Sequence, residues 1–343
     1  MNSMMNTLPV SEAFTEFSRW APRSPLYWAL RPQKAVRRIM EDYVPMAVRV
    51  QPSPDPRLAS RDLLVWWSYD RKQFGDKLRL RFETGHQIQR NEMRWRTVAG
   101  ALWRLIQKDP SIVFHEVPVD LGDGCDPDMP EAIFCFARHK GARNALLPNP
   151  YLMQRRRRVP RPLPWGSKTD KMYFLGADTG SPDLQKNTRV VLCRLAATLS
   201  RTECRLTRLV QGGPEFHAQI QREGLVAPKK PLEEMNKHRF LVDTDGNTTS
   251  WDRYLWAGTF GGVPILFEPT WEECWHGQLV DGENCILVDR TTLGETLQRL
   301  RSDDALARHI AAGAARLVAT VLSPSGVQDL FETAWKERRS LAL

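Results

Sequence analysis

The chain has 343 residues, 42% of them hydrophobic and 26% charged, which gives apolar mass for two cores rather than one. A formal net charge of +9 points to a polyanionic partner (nucleic acid, an anionic membrane surface or a phosphorylated glycan) or simply to solubility. Six cysteines with no CxxC pair and seven scattered histidines with no HExxH exclude a zinc site and a disulfide frame, and the thiols read as small buried hydrophobes of a reducing compartment.

No stretch reaches the ~18 apolar residues of a membrane span, and Met1–Trp20 has no signal-peptide pattern. The expected location is therefore cytoplasmic, or peripheral on the inner face of the plasma membrane. Residues 1–60 read as an irregular extension rich in Pro, Trp and Arg, with Val50–Pro56 as a linker. Leu63–Trp67 is a buried-strand run, Glu92–Gln107 has helical spacing, Ile112–Val119 is a strand ending in the turn Asp120–Gly124, and Ala132–Ala137 is another strand. These make residues 61–160 an α/β domain.

Gln154–Pro164, with four consecutive Arg and three Pro, reads as an interdomain segment. Beyond it, strands are predicted at Met172–Leu175, Arg205–Val210, Phe240–Asp243, Val263–Phe267 and Cys285–Val288. Helices alternate with them at Thr188–Leu199, capped by Asn187, at Pro231–Met235 and at Ser250–Ala257. Helices at 293–300, 305–321 and 327–338 follow. Residues 161–325 thus form a Rossmann-like domain, and 326–343 a C-terminal helix able to pack back on the first domain. The fold class is α/β: two Rossmann-like domains facing a cleft, which resembles the GT-B architecture.

Two segments carry chemistry. Met172–Arg189 runs from a strand through Gly176, Ala177, Asp178 and Thr179 into a helix, with Arg189 in the first turn. Backbone N–H groups, a helix N-terminus and a planar guanidinium suit a diphosphate. The same segment is also compatible with a plain surface βα loop. Phe240–Arg253 repeats the pattern: a strand, the tight turn Asp245-Gly246-Asn247, the hydroxyls Thr248, Thr249 and Ser250, and Arg253 one turn into a helix. One such loop arises easily by chance, whereas two in one domain make a nucleotide diphosphate more credible. On this reading, Arg189→Ala should weaken nucleotide binding and leave the fold intact. The triplet Asp243-Thr244-Asp245 has DxD spacing, which holds divalent ions elsewhere, but the Gly-Asn that follows favours a strand end and a turn.

These segments resemble the Rumi-type protein O-glucosyltransferase family, which also contains fungal capsule xylosyltransferases and bacterial lipopolysaccharide glycosyltransferases. The resemblance spans roughly residues 110–340. It rests on Val119–Gly124, on Pro164-Trp165-Gly166-Ser167-Lys168 with Tyr173–Gly176 and Asn187–Arg189, on Asp245–Arg253, and on the Trp-rich run Trp271–Asp289. It implies a UDP-sugar donor as co-substrate, inversion at the anomeric carbon with no metal or other cofactor, and a general base at Asp123; Asp120, Asp126 and Asp128 stand nearby as rivals. The implied donor-binding set is Gly176, Ala177, Asp178, Thr179, Arg189, Asp245, Gly246, Asn247, Ser250 and Arg253. The chain departs from the family pattern at Leu175, where the family has Arg, at Gly124-Cys125, where it has Trp-Pro, and by one residue before Arg253.

The expected reaction is transfer of a hexose or pentose to a glycan or lipid-linked glycan, such as a lipopolysaccharide or capsule precursor. The alternatives are an inactive sugar-nucleotide-binding relative and, lower, a basic nucleic-acid-binding protein; no recognition-helix, RNP or zinc pattern supports the last. Arg155, Arg156, Arg157 and Arg158 read equally as a solvated linker or as a contact with anionic lipid or glycan. Trp20, Tyr27 and Trp28 among Arg19, Arg23 and Arg31 read as a membrane-docking face or as the core of a cap.

Overall fold

A computed structural model describes residues 15–16, 44–51, 63–82, 84, 88, 91–125, 133–153 and 160–337. Contacts divide the chain into two units, 1–122 and 123–343. The sequence reading sets this boundary at 160 instead.

In the first unit, strands β1 (Thr15–Glu16), β2 (Met46–Val50), β3 (Leu64–Tyr69), β4 (Leu78–Phe82) and β5 (Phe114–Asp120) accompany helices α1 (Arg71–Phe74) and α2 (Glu92–Lys108). β2 runs parallel to β4, while β3 is antiparallel to both β4 and β5. Every residue of β3 is buried, which explains its continuous apolar run. α2 lays Trp95, Val98, Leu102, Leu105 and Ile106 on this sheet, with Trp95 edge-on to Phe82 at 6.0 Å. β2 falls inside the stretch expected to be irregular, and β4 was not foreseen; its Leu-Arg-Leu-Arg alternation is the signal that sequence reading passed over.

The second unit opens with β6 (Phe134–Cys135), β7 (Arg138–His139), β8 (Ala145–Leu146) and α3 (Pro150–Met153). The larger part follows: β9 (Thr169–Ala177), α4 (Thr188–Ala197), β10 (Thr202–Arg208), α5 (Pro214–Arg222), β11 (His238–Thr244), α6 (Arg253–Thr259), β12 (Val263–Phe267), β13 (Trp271–Glu272), β14 (Ile286–Val288), α7 (Leu293–Ser302), α8 (Asp304–Ala319) and α9 (Pro324–Glu337). Five of these strands make one parallel sheet in the order β10-β9-β11-β12-β14. Numbered by chain order that is 2-1-3-4-5, a doubly wound Rossmann-like topology. The expected α/β class is what the structure shows.

Alternation along the central strands buries both faces, as a parallel sheet requires. Met172, Phe174, Phe240, Val242, Val263 and Ile265 enter the core under α4, α5, α7 and α8. Tyr173 and Leu241 point the other way, into a cluster with Trp256 and Phe260. The Pro164–Lys168 run is a staple of this domain. The Lys168 ammonium donates to the main-chain and side-chain oxygens of Asn236, and the Trp165 indole donates to Asp304 at 2.7 Å.

Residues 133–153 belong with this second unit because of the last helix. Trp335 of α9 stacks on Phe134 at 4.8 Å and 5°, and Leu152 of α3 is buried with Tyr254 and Trp275. The Arg- and Pro-rich run after α3 looks like a domain linker in composition, yet the packing of both its flanks joins them. Among the described residues no single helix is long and apolar enough to cross a membrane.

Candidate functional site

In an open parallel sheet, ligands bind beyond the carboxyl ends of the strands, where successive connections leave in opposite directions. Here that switch point lies between β9 and β11, since β9 leads outward to β10 and β11 lies on its other side. The loops at this point are 178–187 and 245–252, the two segments the sequence singles out.

Two arginines cross the switch point in opposite directions. Arg189, from the first turn of α4, donates through Nε to the Asp245 carbonyl at 3.1 Å. Its Nη1 donates to the Ala177 carbonyl at 3.0 Å and to Thr179 Oγ1 at 2.6 Å. Arg253, from the first turn of α6, lies 4.5 Å over the Phe174 ring and donates through Nη2 to the Leu175 carbonyl at 3.0 Å. The Nη2 of Arg189 and the Nη1 of Arg253 keep no hydrogen-bond partner among the described residues. Burial, aided by Arg253, pulls Arg189 down to about 10, so it stays cationic at neutral pH.

The rest of the loops are held tightly around these charges. Asn187 caps α4 by accepting from the Arg189 and Val190 amides, as expected, and its own amide donates to the Asp178 and Ser181 carbonyls. Thr188 Oγ1 donates to the Asp245 carbonyl, and the Gly180 amide to Asn247 Oδ1 at 3.1 Å. Gly246 is glycine for a steric reason: a Cβ there would stand 2.5 Å from Thr179 Oγ1 and 2.6 Å from Arg189 Nη2.

All the sequence-predicted donor residues gather here, but two carboxylates are committed to the fold instead of a ligand. Asp178 is fully buried and accepts from the Val210 and Gln211 amides, 3.4 Å from His217. Asp245 accepts from the Thr270 amide at 2.6 Å, the Thr270 hydroxyl and the Trp271 amide. Arg189 is likewise a buried internal clamp, holding the Asp245 and Ala177 carbonyls and Thr179, whereas the sequence reading expects its removal to leave the fold intact. Asp243 is the residue before last of β11 and Asp245 follows the strand directly, and no group of three or more His, Cys, Asp or Glu that could hold a metal stands together among the described residues.

Sequence reading missed Glu273. It is buried, 3% exposed, and accepts from Thr249 Oγ1 at 2.7 Å, Asn149 Nδ2 at 2.5 Å and the Trp275 indole at 3.1 Å. Burial pushes its carboxyl up to about 7 against these three hydrogen bonds, with Asp243 adding to the rise. Its neighbour Glu272 faces the other way, to Arg138 at 2.7 Å. Nothing in the pair Glu272-Glu273 marks which one turns inward.

Asp123 sits exposed in the bend that opens the second unit. The next residue fixes its loop: a Cβ on Gly124 would stand 2.8 Å from both Thr248 and Trp271 and 2.9 Å from the Ala137 carbonyl. The loop of the expected base therefore lies against the loop after β11. Asp120, one of its rivals, accepts from the Gly122 amide at 2.6 Å and holds the turn. Asp126, Asp128, Arg155, Arg156, Arg157, Arg158 and the aromatic residues Trp20, Tyr27 and Trp28 lie outside the described residues.

No family model and no curated protein sequence matches the chain. Among solved structures it is similar to TarM (12% identity, TM-score 0.37, covering 52% of this chain and 37% of that one). It is similar also to Anabaena HepE in complex with UDP-glucose (14%, 0.33, covering 48% of each). A third is WaaG, a glycosyltransferase involved in lipopolysaccharide biosynthesis (15%, 0.34, covering 62% of this chain and 57% of that one). The chain thus spans less than two thirds of the length of each. At these TM-scores the likenesses do not define the fold, which stands on the strand order of the sheet.

Proposed function

We propose that this protein is a glycosyltransferase of GT-B type that moves a sugar from a UDP-sugar to an acceptor hydroxyl with inversion. The observation that carries this reading is the pair of guanidiniums, Arg189 and Arg253, reaching across the switch point, each with one Nη group (Nη2 of Arg189, Nη1 of Arg253) that has no hydrogen-bond partner among the described residues. Two fixed cations at the carboxyl edge of a doubly wound sheet suit a diphosphate, and they answer the charge that grows on it as the glycosidic bond breaks. The resemblance to the Rumi-type family supports the same donor and makes Asp123 the base. In that reaction the acceptor oxygen attacks the anomeric carbon, its proton passes to Asp123, and the bond to UDP breaks with its electrons leaving on the phosphate oxygen.

The arginines take the role a metal plays in other transferases, so no cofactor is needed. The acceptor is a glycan or lipid-linked glycan, such as a lipopolysaccharide or capsule precursor, reached on the inner face of the plasma membrane. Arg155–Arg158 would supply the contact to its anionic groups. The test is a thermal-shift and calorimetry panel of nucleotide sugars, followed by transfer assays with and without EDTA. UDP and one UDP-sugar should raise the melting temperature, since ligands that bind only the native state stabilise it. Loss of turnover in chelator would revive the Asp243/Asp245 metal reading. Donor binding with no transfer to any glycan acceptor would favour an inactive sugar-nucleotide-binding relative.

A further inference from the structure

Beside the crevice, in the same unit, lies a recess lined by Asp243, Thr244, Ser250, Trp251, Tyr254 and Glu273, among others. Its polar groups are unequally satisfied. Glu273 has three donors and is a closed wall. Asp243 accepts from the Ser250 hydroxyl on Oδ1, while its Oδ2 has no partner among the described residues. Thr244 is 2% exposed, and its Oγ1 is buried without any hydrogen-bond partner in the described structure. A buried hydroxyl left without a partner is costly, so an orphan lining a recess marks a place where another molecule completes it. Trp251 adds a second sign. It is held at φ +63°, a backbone conformation unfavourable for a bulky side chain, and its indole donates to Thr248 Oγ1.

The charges divide the neighbourhood. Arg189 and Arg253 form its cationic side, while Asp243 and Glu273 with the aromatic walls Trp251, Tyr254 and Trp275 form an acidic, apolar side. A diphosphate fits only the first. The second suits a neutral polyol, with C–H faces for the rings and hydroxyls for the unpaired oxygens. We propose that this recess receives a hydroxyl or hydroxymethyl group of the sugar carried by the nucleotide, donating to Asp243 Oδ2 with Thr244 Oγ1 as second partner. The recess thereby selects neutral sugars over uronates, whose carboxylate would meet the two acids Asp243 and Glu273. This rests on the nucleotide-sugar reading above and adds the subsite that reads the sugar.

The test is calorimetry of UDP, UDP-glucose, UDP-galactose, UDP-xylose and UDP-glucuronate on the full chain and on Asp243→Asn and Thr244→Val. At least one neutral UDP-sugar should bind about tenfold or more tightly than UDP, and UDP-glucuronate no more tightly than UDP. Each substitution should cut that sugar-to-UDP ratio by about tenfold, while UDP-glucuronate gains on Asp243→Asn. A sugar gain that survives both substitutions, a uronate gain equal to the neutral one, or no neutral gain at all overturns the subsite with nucleotide binding intact. Failure of UDP itself to bind the unaltered protein sinks the underlying function instead. Should Asp243→Asn not fold, the nearly isosteric Thr244→Val decides alone.

Discussion

The guanidinium Nε of Arg189 donates to the carbonyl oxygen of Asp245 at 3.1 Å, so a side chain that starts after β9 closes the main chain that follows β11. With its bonds to Ala177 and Thr179, one buried group ties both lips of the crevice. Arg189→Ala should therefore lower stability by about 2–5 kcal/mol, because buried carbonyls lose their donor. Arg189→Lys should recover little of it, since one ammonium cannot reproduce a planar fork. Urea denaturation of the three proteins checks this; a midpoint unchanged in Arg189→Ala would show that the clamp holds nothing.

The lack of a side chain at Gly246 makes room for that guanidinium. Gly246→Ala should displace Arg189 and reduce UDP affinity by at least tenfold. Gly166→Ala, where a Cβ meets nothing within 4 Å, should leave affinity within about twofold. Calorimetry on the pair separates a steric cause from a general loss of glycine. Equal effects at both positions would count against the packing explanation.

Glu273 gives the protein a pH dependence. Its carboxyl stands at about 7 when folded, against 4.5 when exposed, so the native state holds a proton between these values that the unfolded chain has lost. Stability contributed by this group is full below about pH 4.5 and falls as pH rises through 7, by about 3 kcal/mol in total. Glu273→Gln, neutral throughout, should flatten that slope and make the protein relatively more stable at pH 8. Chemical denaturation from pH 5 to 8 measures it. The same slope in wild type and Glu273→Gln would assign the titration to another group.

Asp123→Asn removes the basicity and keeps the size of the proposed base. Transfer should fall on the order of 10²–10⁴-fold with UDP affinity nearly unchanged. Asp120→Asn should act mainly through the turn it holds at Gly122, and Asp126→Asn and Asp128→Asn should do little. Sugar transfer measured on all four variants settles the base, and a near wild-type rate for Asp123→Asn would place it elsewhere.

The parts of this protein that were legible beforehand are those written in local patterns. The apolar runs of β9, β11 and β12, the cap at Asn187 and the two strand–loop–helix segments could be read because period, cap and turn chemistry are short-range. Arg189 and Arg253 could be placed at the crevice for the same reason, each following a strand–loop turn into a helix. What the carboxylates do was not legible, because Asp178 is decided by amides 32 and 33 residues away and Asp245 by amides 25 and 26 residues away. Glu273 depends on Asn149, 124 residues distant. The position of the domain boundary was hidden likewise, since it depends on Trp335 meeting Phe134.

The 2-1-3-4-5 strand order also fixes when the site can exist. β9 and β11 are hydrogen-bonded neighbours, yet Thr169 and His238 at their start are 69 residues apart in the chain. Between them lie β10 and the helices α4 and α5, so the centre of the sheet closes over a long loop. Pairing over such a loop is slow, because closure entropy is lost before any contact rewards it. The expected outcome in refolding is therefore that the crevice matures late, with nucleotide binding as the clock for its completion, lagging the burial of the Met172 and Phe174 side chains.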